Sequence, residues 1–161
     1  MIERIKTLVV QTAEQLKSRS KILATAESCT GGGLSYWLTS VPGSSAWFDR
    51  GFVTYSNEAK HEMLGVSTDT IKQYGAVSEE TALDMANGIL QKSRADLGIA
   101  ITGIAGPDGG SKEKPVGTVW IGYSGKHFKT HAECHVFTGD RQAVRLSSIA
   151  ASLEHLLKLI T

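Results

Sequence analysis

Leu97-Gly98-Ile99-Ala100-Ile101-Thr102 is an unbroken run of apolar and small residues that stops at Gly103. A strand with one face in water alternates polar and apolar side chains, so a run without alternation belongs to a strand covered on both faces. A sheet built on such a strand needs helices above and below it, and the chain supplies them. Ile2, Ile5, Val9, Thr12 and Leu16 recur at helical spacing. Ala82, Met85, Ala86, Ile89 and Leu90 do the same after Ser78, a natural N-cap with Glu79 and Glu80 in the first turn behind it. Leu146, Ile149, Leu153, Leu156 and Ile160 form a third stripe on a helix that starts at Gly139-Asp140.

Shorter helices are expected from Gly32 to Thr39, from Asn57 to Leu64, and from Ser67 to Tyr74. Ile22 to Glu27 and Phe48 to Tyr55 read as strands. Val116 to Tyr123 and His127 to Phe137 read as a hairpin joined at Ser124-Gly125. A hairpin within an otherwise mixed helix–strand order predicts a mixed sheet, hence an α/β protein with a three-layer α/β/α sandwich. A length of 161 residues suits one domain over the whole chain.

Composition narrows the partners. With a formal net charge of +1 there is no general field for nucleic acid or an acidic membrane, and no Lys/Arg run appears. No apolar stretch is long enough to cross a bilayer. Met1-Ile2-Glu3-Arg4-Ile5-Lys6 mixes charges through its apolar positions, unlike a signal peptide. Cys29 and Cys134 alone do not make a disulfide framework. The expectation is a cytoplasmic protein with free thiols.

Four segments carry residues suited to chemistry. Thr25-Ala26-Glu27-Ser28-Cys29-Thr30-Gly31-Gly32-Gly33 places hydroxyls, a thiol and glycines where a strand hands over to a helix, a usual binding position in α/β proteins. Gly43-Ser44-Ser45 and Gly51-Phe52-Val53-Thr54-Tyr55-Ser56-Asn57-Glu58-Ala59-Lys60 offer a serine, a tyrosine and a lysine. A lysine serves a serine nucleophile as base when burial or nearby positive charge lowers its pKa. Thr102-Gly103-Ile104-Ala105-Gly106-Pro107-Asp108-Gly109-Gly110 is a long glycine-rich loop after the central strand, with consecutive backbone N–H groups able to hold an anion. Thr138-Gly139-Asp140-Arg141, with Arg145 one turn on, sets an arginine at a helix start: either a phosphate ligand or the partner of a carboxylate beside an Asp cap.

His127, His131 and His135 share one face of their strand with Lys129 and Glu133. Residues four apart on a strand are about 13 Å apart, too far for the three histidines to share one ion. A solvated sheet face is expected there, and no metal.

The segments Thr25 to Gly32, Gly43 to Ser45, Gly51 to Lys60 and Gly103 to Gly110, with Gly75-Ala76-Val77-Ser78 and Lys114-Pro115-Val116-Gly117-Thr118-Val119, resemble the CinA C-terminal domain family over nearly the whole chain. The resemblance implies hydrolysis of nicotinamide mononucleotide to nicotinate mononucleotide and ammonia, in pyridine-nucleotide salvage. It implies no cofactor, no metal, a small-molecule nucleotide as the partner, and a homo-oligomer. By motif position it makes Ser45 the nucleophile, Lys60 the base and Tyr55 its neighbour and proton relay. Ser28, at a helix N-terminus, is the alternative nucleophile, and Cys29 a further one. Ser28, Thr30, Gly31, Gly32, Asn57, Thr102, Gly103 and Gly106 are expected around the substrate, with Arg141 as its arginine and Arg145 as the alternative. A silent nucleotide-binding or partner-binding domain is the rival reading.

Overall fold

The computed structural model describes residues 1–161. Its sheet has five strands in the order β2-β1-β3-β4-β5. β1 (Leu23–Glu27) runs parallel to β2 (Phe48–Val53) on one side and to β3 (Leu97–Gly103) on the other. β4 (Thr118–Gly125) is antiparallel to β3, and β5 (Phe128–Val136) is antiparallel to β4. Helices α1 (Ile2–Ser18), α2 (Gly33–Thr39) and α6 (Arg141–Ile160) cover one face. Helices α3 (Asn57–Leu64), α4 (Thr68–Tyr74) and α5 (Glu79–Lys92) cover the other. This is the expected three-layer sandwich on a mixed sheet.

The two faces differ in side-chain size. Leu23, Ile99, Ile101, Val119, Ile121 and Tyr123 meet Ile5, Leu16, Leu34, Leu38, Leu153 and Leu156 on the larger side. On the other side β1 and β3 present Ala24, Ala26 and Ala100 to Leu64, Met85, Ala86 and Ile89. Small sheet residues let α5 lie close to the strands. A Cβ on Gly122 would stand 2.5 Å from the Ala82 carbonyl oxygen, so only glycine fits beneath that helix.

Three local expectations change. β2 stops at Val53 rather than Tyr55, because the Thr54 N–H turns to the Glu27 carbonyl and Ser56 then caps α3 by accepting from the Ala59 N–H. The hairpin turn falls at Lys126-His127, since Ser124 and Gly125 are still paired within β4. The histidine face of β5 is not a solvated face. His131 Nε2 lies 3.0 Å from His155 Nε2 of α6, and His155 Nδ1 lies 2.9 Å from Glu133 Oε1. The last turns of α6 cover that end of the strand.

Candidate active site

β1 and β3 end on the same side of the sheet, and a cavity of about 270 Å³ opens beyond their ends. Ser28 and Cys29 enter it from the end of β1, Thr102 and Gly103 from the end of β3. Tyr55, Asn57 and Lys60 come from the β2–α3 connection, Ala76 and Val77 from the turn before α5, and Arg141 from the start of α6. Ligands bind at this end of open α/β sheets because the strand-to-helix connections diverge there.

Lys60 is the centre of the site. Its side chain turns inward from α3 and the residue is 1% exposed. Nζ donates to Ser28 Oγ at 2.9 Å, to the Thr54 carbonyl at 2.9 Å and to the Tyr55 carbonyl at 3.2 Å. Burial holds the ammonium below the usual lysine range. A neutral amine has two N–H groups and one lone pair. The two carbonyls accept the N–H groups, and the lone pair then faces the Ser28 hydroxyl. Proton removal therefore turns the same contact into an acceptor for the serine proton, with no movement of either side chain.

Ser28 is held from behind by Glu27. This carboxylate is fully buried, and it accepts from the Leu34 N–H at 2.8 Å, the Ser35 N–H at 3.0 Å and Ser35 Oγ at 2.8 Å. Those are the free amides at the start of α2, so the negative charge faces the positive end of that helix. The chain reverses between Glu27 and Gly33 with Gly31 and Gly32 both at positive φ, a conformation that favours glycine. The Gly31 N–H donates to the Ser28 carbonyl and the Gly33 N–H to the Thr30 carbonyl. Glu27 escaped the sequence reading of function. Its signal was an acid at the end of an apolar strand, directly before a helix start.

The phenol of Tyr55 bonds to Arg141 and not to Ser28 or Lys60. Arg141 donates from Nη2 to the Tyr55 hydroxyl at 3.2 Å and from Nη1 to the Gly106 carbonyl at 2.7 Å. These bonds span the cavity mouth, and Tyr55 is 61% exposed there. Thr102 donates to the Ala76 carbonyl at 2.7 Å, which fixes the turn that forms one wall.

Other expected site residues lie elsewhere. Ser45 is exposed, in a short turn (Ser44–Ala46) that leads into β2. The parallel register sets Phe48 beside Leu23 and Val53 beside Glu27. Ser45 therefore sits at the start of these strands and Ser28 and Lys60 at their ends, roughly 16 Å along the sheet. The pairing of Ser45 with Lys60 expected from the motif order does not form, because a whole strand separates them. Thr30 lines a different cavity, between α2 and α6, together with Arg145, which donates to the Thr30 carbonyl at 3.2 Å. Gly31 and Gly32 shape the turn without lining the main cavity, and Gly106 takes part through its carbonyl on Arg141. Cys29 lies in the cavity wall, but burial pushes its thiol up to about 11. It is protonated at neutral pH and a poor nucleophile.

A serine hydroxyl on a buried, carboxylate-free lysine amine, at the strand ends of an α/β sandwich, defines a Ser–Lys site. Residues 5–160 match the family described as the CinA C-terminal domain. The chain is 52% identical over 156 residues to the nicotinamide-nucleotide amidohydrolase PncC of Enterobacter agglomerans, covering 97% of this chain and 95% of that one. It is 46% identical over 160 residues to the protein of the same name from Pseudomonas putida, covering 99% of each. The crystal structure of the competence/damage inducible protein CihA from Agrobacterium tumefaciens superposes with a TM-score of 0.95 at 43% identity, covering 98% of this chain and 96% of that one. The chain belongs to the CinA C-terminal domain family.

Proposed function

We propose that the chain is an amidohydrolase that converts nicotinamide mononucleotide to nicotinate mononucleotide and ammonia, with Ser28 as nucleophile and Lys60 as base. The observation that carries this reading is the 2.9 Å contact between Ser28 Oγ and the buried Lys60 Nζ. The substrate class comes from the amidohydrolases at about half identity over nearly the full chain.

Neutral Lys60 takes the Ser28 proton as Oγ bonds to the carboxamide carbon. The cationic pyridinium ring makes that carbon more electrophilic, and its charge helps to keep Lys60 neutral. Lys60 returns the proton to the departing nitrogen, the C–N bond breaks and ammonia leaves. Water then attacks the acyl-serine, giving its proton to Lys60, and the nicotinate product is released with Ser28 restored. Arg141 at the mouth is placed for the phosphate of the nucleotide, as a planar donor suited to bidentate contact. The reading extends to a role in pyridine-nucleotide salvage, a cytoplasmic setting and a homo-oligomeric form.

The test is ammonia release from nicotinamide mononucleotide by wild type, Ser28→Ala, Lys60→Met and Ser45→Ala. Loss in the first two with retention in Ser45→Ala is expected. Full activity of Ser28→Ala would remove Ser28 from the nucleophile role. No release by folded wild type would favour the silent-binder reading.

A further inference from the structure

Far from the cavity, β5 and α6 hold a pair of histidines that the amidohydrolase reading leaves unused. His155 lies 14 residues along α6 from Arg141, about 21 Å away. His131 Nδ1 lies 3.0 Å from the Lys129 carbonyl, and His155 Nδ1 lies 2.9 Å from Glu133 Oε1. A carbonyl and a carboxylate are acceptors only, so in the neutral rings both hydrogens sit on Nδ1. Both Nε2 atoms are then bare, and they face each other at 3.0 Å. Two lone pairs in contact repel unless a proton or a metal ion lies between them.

The spacing suits a metal ion. Nitrogens bound at about 2.0–2.1 Å and at right angles to one another lie about 2.9 Å apart. Right-angled nitrogen ligands are the preference of tetragonal Cu²⁺ and Ni²⁺, whereas tetrahedral Zn²⁺ asks for a wider angle. The surroundings are those of a metal-binding histidine. Glu133 on His155 Nδ1 repeats the carboxylate–histidine arrangement that orients a ligating ring and raises its basicity. The buried ring of Tyr123 packs beneath both imidazoles, with centroids 4.5 Å from His155 and 5.5 Å from His131. The His155 side chain keeps 19% of its surface exposed, so an ion can reach it.

We propose that His131 and His155 form a two-histidine site for a divalent transition-metal ion, Cu²⁺ or Ni²⁺ ahead of Zn²⁺, with water in the other positions. Such an ion ties β5 to the C-terminal half of α6.

The untagged chain is titrated calorimetrically with Ni²⁺, and the Cu²⁺ form is examined by electron paramagnetic resonance. One equivalent of Ni²⁺ and coupling of Cu²⁺ to two nitrogens are expected. His131→Gln and His155→Gln each remove one ligand and lower affinity by more than tenfold. Glu133→Gln keeps both ligands and lowers affinity by about 10–100-fold. His127→Gln, at the hairpin turn, leaves binding unchanged. Circular dichroism shows that each variant is folded, and Glu133→Gln gives an answer if a histidine variant is not. No binding at millimolar Ni²⁺, or wild-type affinity in folded His155→Gln, overturns the proposal.

Discussion

Arg141 and Tyr55 meet across the cavity mouth, guanidinium to phenol, at 3.2 Å. The contact joins the first turn of α6 to the segment that leads into α3, so each side chain holds the other over the entrance. A phosphate arriving there takes the guanidinium from a neutral oxygen to an anionic one. Arg141→Ala should therefore lower kcat/KM by about tenfold to a hundredfold, mainly through KM, the range for one charge-assisted hydrogen bond. Steady-state kinetics on nicotinamide mononucleotide checks it, and an unchanged KM would assign the phosphate to other donors.

Tyr55 serves the Ser28–Lys60 pair through its backbone, since its carbonyl accepts from Lys60 Nζ. Tyr55→Phe keeps that carbonyl and loses only the phenol. The expected fall in kcat is below about tenfold, far smaller than that of Ser28→Ala. A loss as large as that of Ser28→Ala would return the phenol to the chemistry as a proton relay.

In the proposed mechanism Lys60 must be neutral to accept the Ser28 proton. Burial favours the neutral form, so its folded pKa lies below the usual lysine range. The rate should rise with pH through that depressed value and then level off. A pH profile of kcat/KM checks this. Lys60→Arg, which keeps its charge at any working pH, should be inactive throughout.

Glu27 connects activity to stability. Glu27→Gln replaces an acceptor oxygen with an amide nitrogen against the Leu34 or Ser35 donors. A cost of about 2–3 kcal/mol is expected for this buried, charge-assisted set, read from the urea midpoint. Gly51→Ala reaches the same network from β2. Its Cβ would collide with Ser35 Oγ and stand 3.0 Å from Thr25 Oγ1. Ser35 is tied to Glu27 and Thr25, so it has little freedom to withdraw, and Gly51→Ala should also destabilise the fold.

Asp96 contributes to acid sensitivity at the other end of the sheet. Burial alone would raise its pKa, but the Ile22 N–H at 2.9 Å and Lys126 at 3.1 Å hold the carboxyl below the usual range. A depressed folded pKa stabilises above the unfolded carboxylate range and is lost as pH falls through the folded value. Asp96→Asn should therefore flatten the acid side of the stability curve, measured as thermal midpoint against pH. An acid limb identical to wild type would remove Asp96 from that role.

Much of the architecture was legible in the residues because it rests on local regularities. The unbroken Leu97–Thr102 run announced a central strand. The Ser78 cap marked a helix start that the backbone adopts, and the short helices expected from Asn57 and from Ser67 begin within a residue of those positions. The site was legible only in parts. Lys60 and Tyr55 stood out as residue types, and so did Ser28, but the choice of serine depended on which strand lies beside which. Motif order put Ser45 near Lys60. Strand β2 lies between them and carries Ser45 to one end of the sheet and Lys60 to the other, and its parallel pairing with β1 sets Ser28 at the Lys60 end. Linear spacing does not encode that direction, because a parallel crossover is made by distant segments.

The sequence by itself determined that helices would cover both faces of a mixed sheet, that a glycine-rich turn would follow the first strand, and that a serine, a lysine and an arginine were available. Periodicity and capping act over a few residues, so they survive without a fold. Tertiary structure decided which residues meet. It buried Lys60 against two carbonyls and Ser28, turned the Tyr55 phenol towards Arg141, spent the Glu27 charge on the start of α2, and brought His155 against His131. The Ser28–Lys60, Tyr55–Arg141 and His131–His155 contacts join residues 24 to 86 positions apart in the chain. Their chemistry arises from burial and mutual distance, which exist only once the strands have chosen their neighbours.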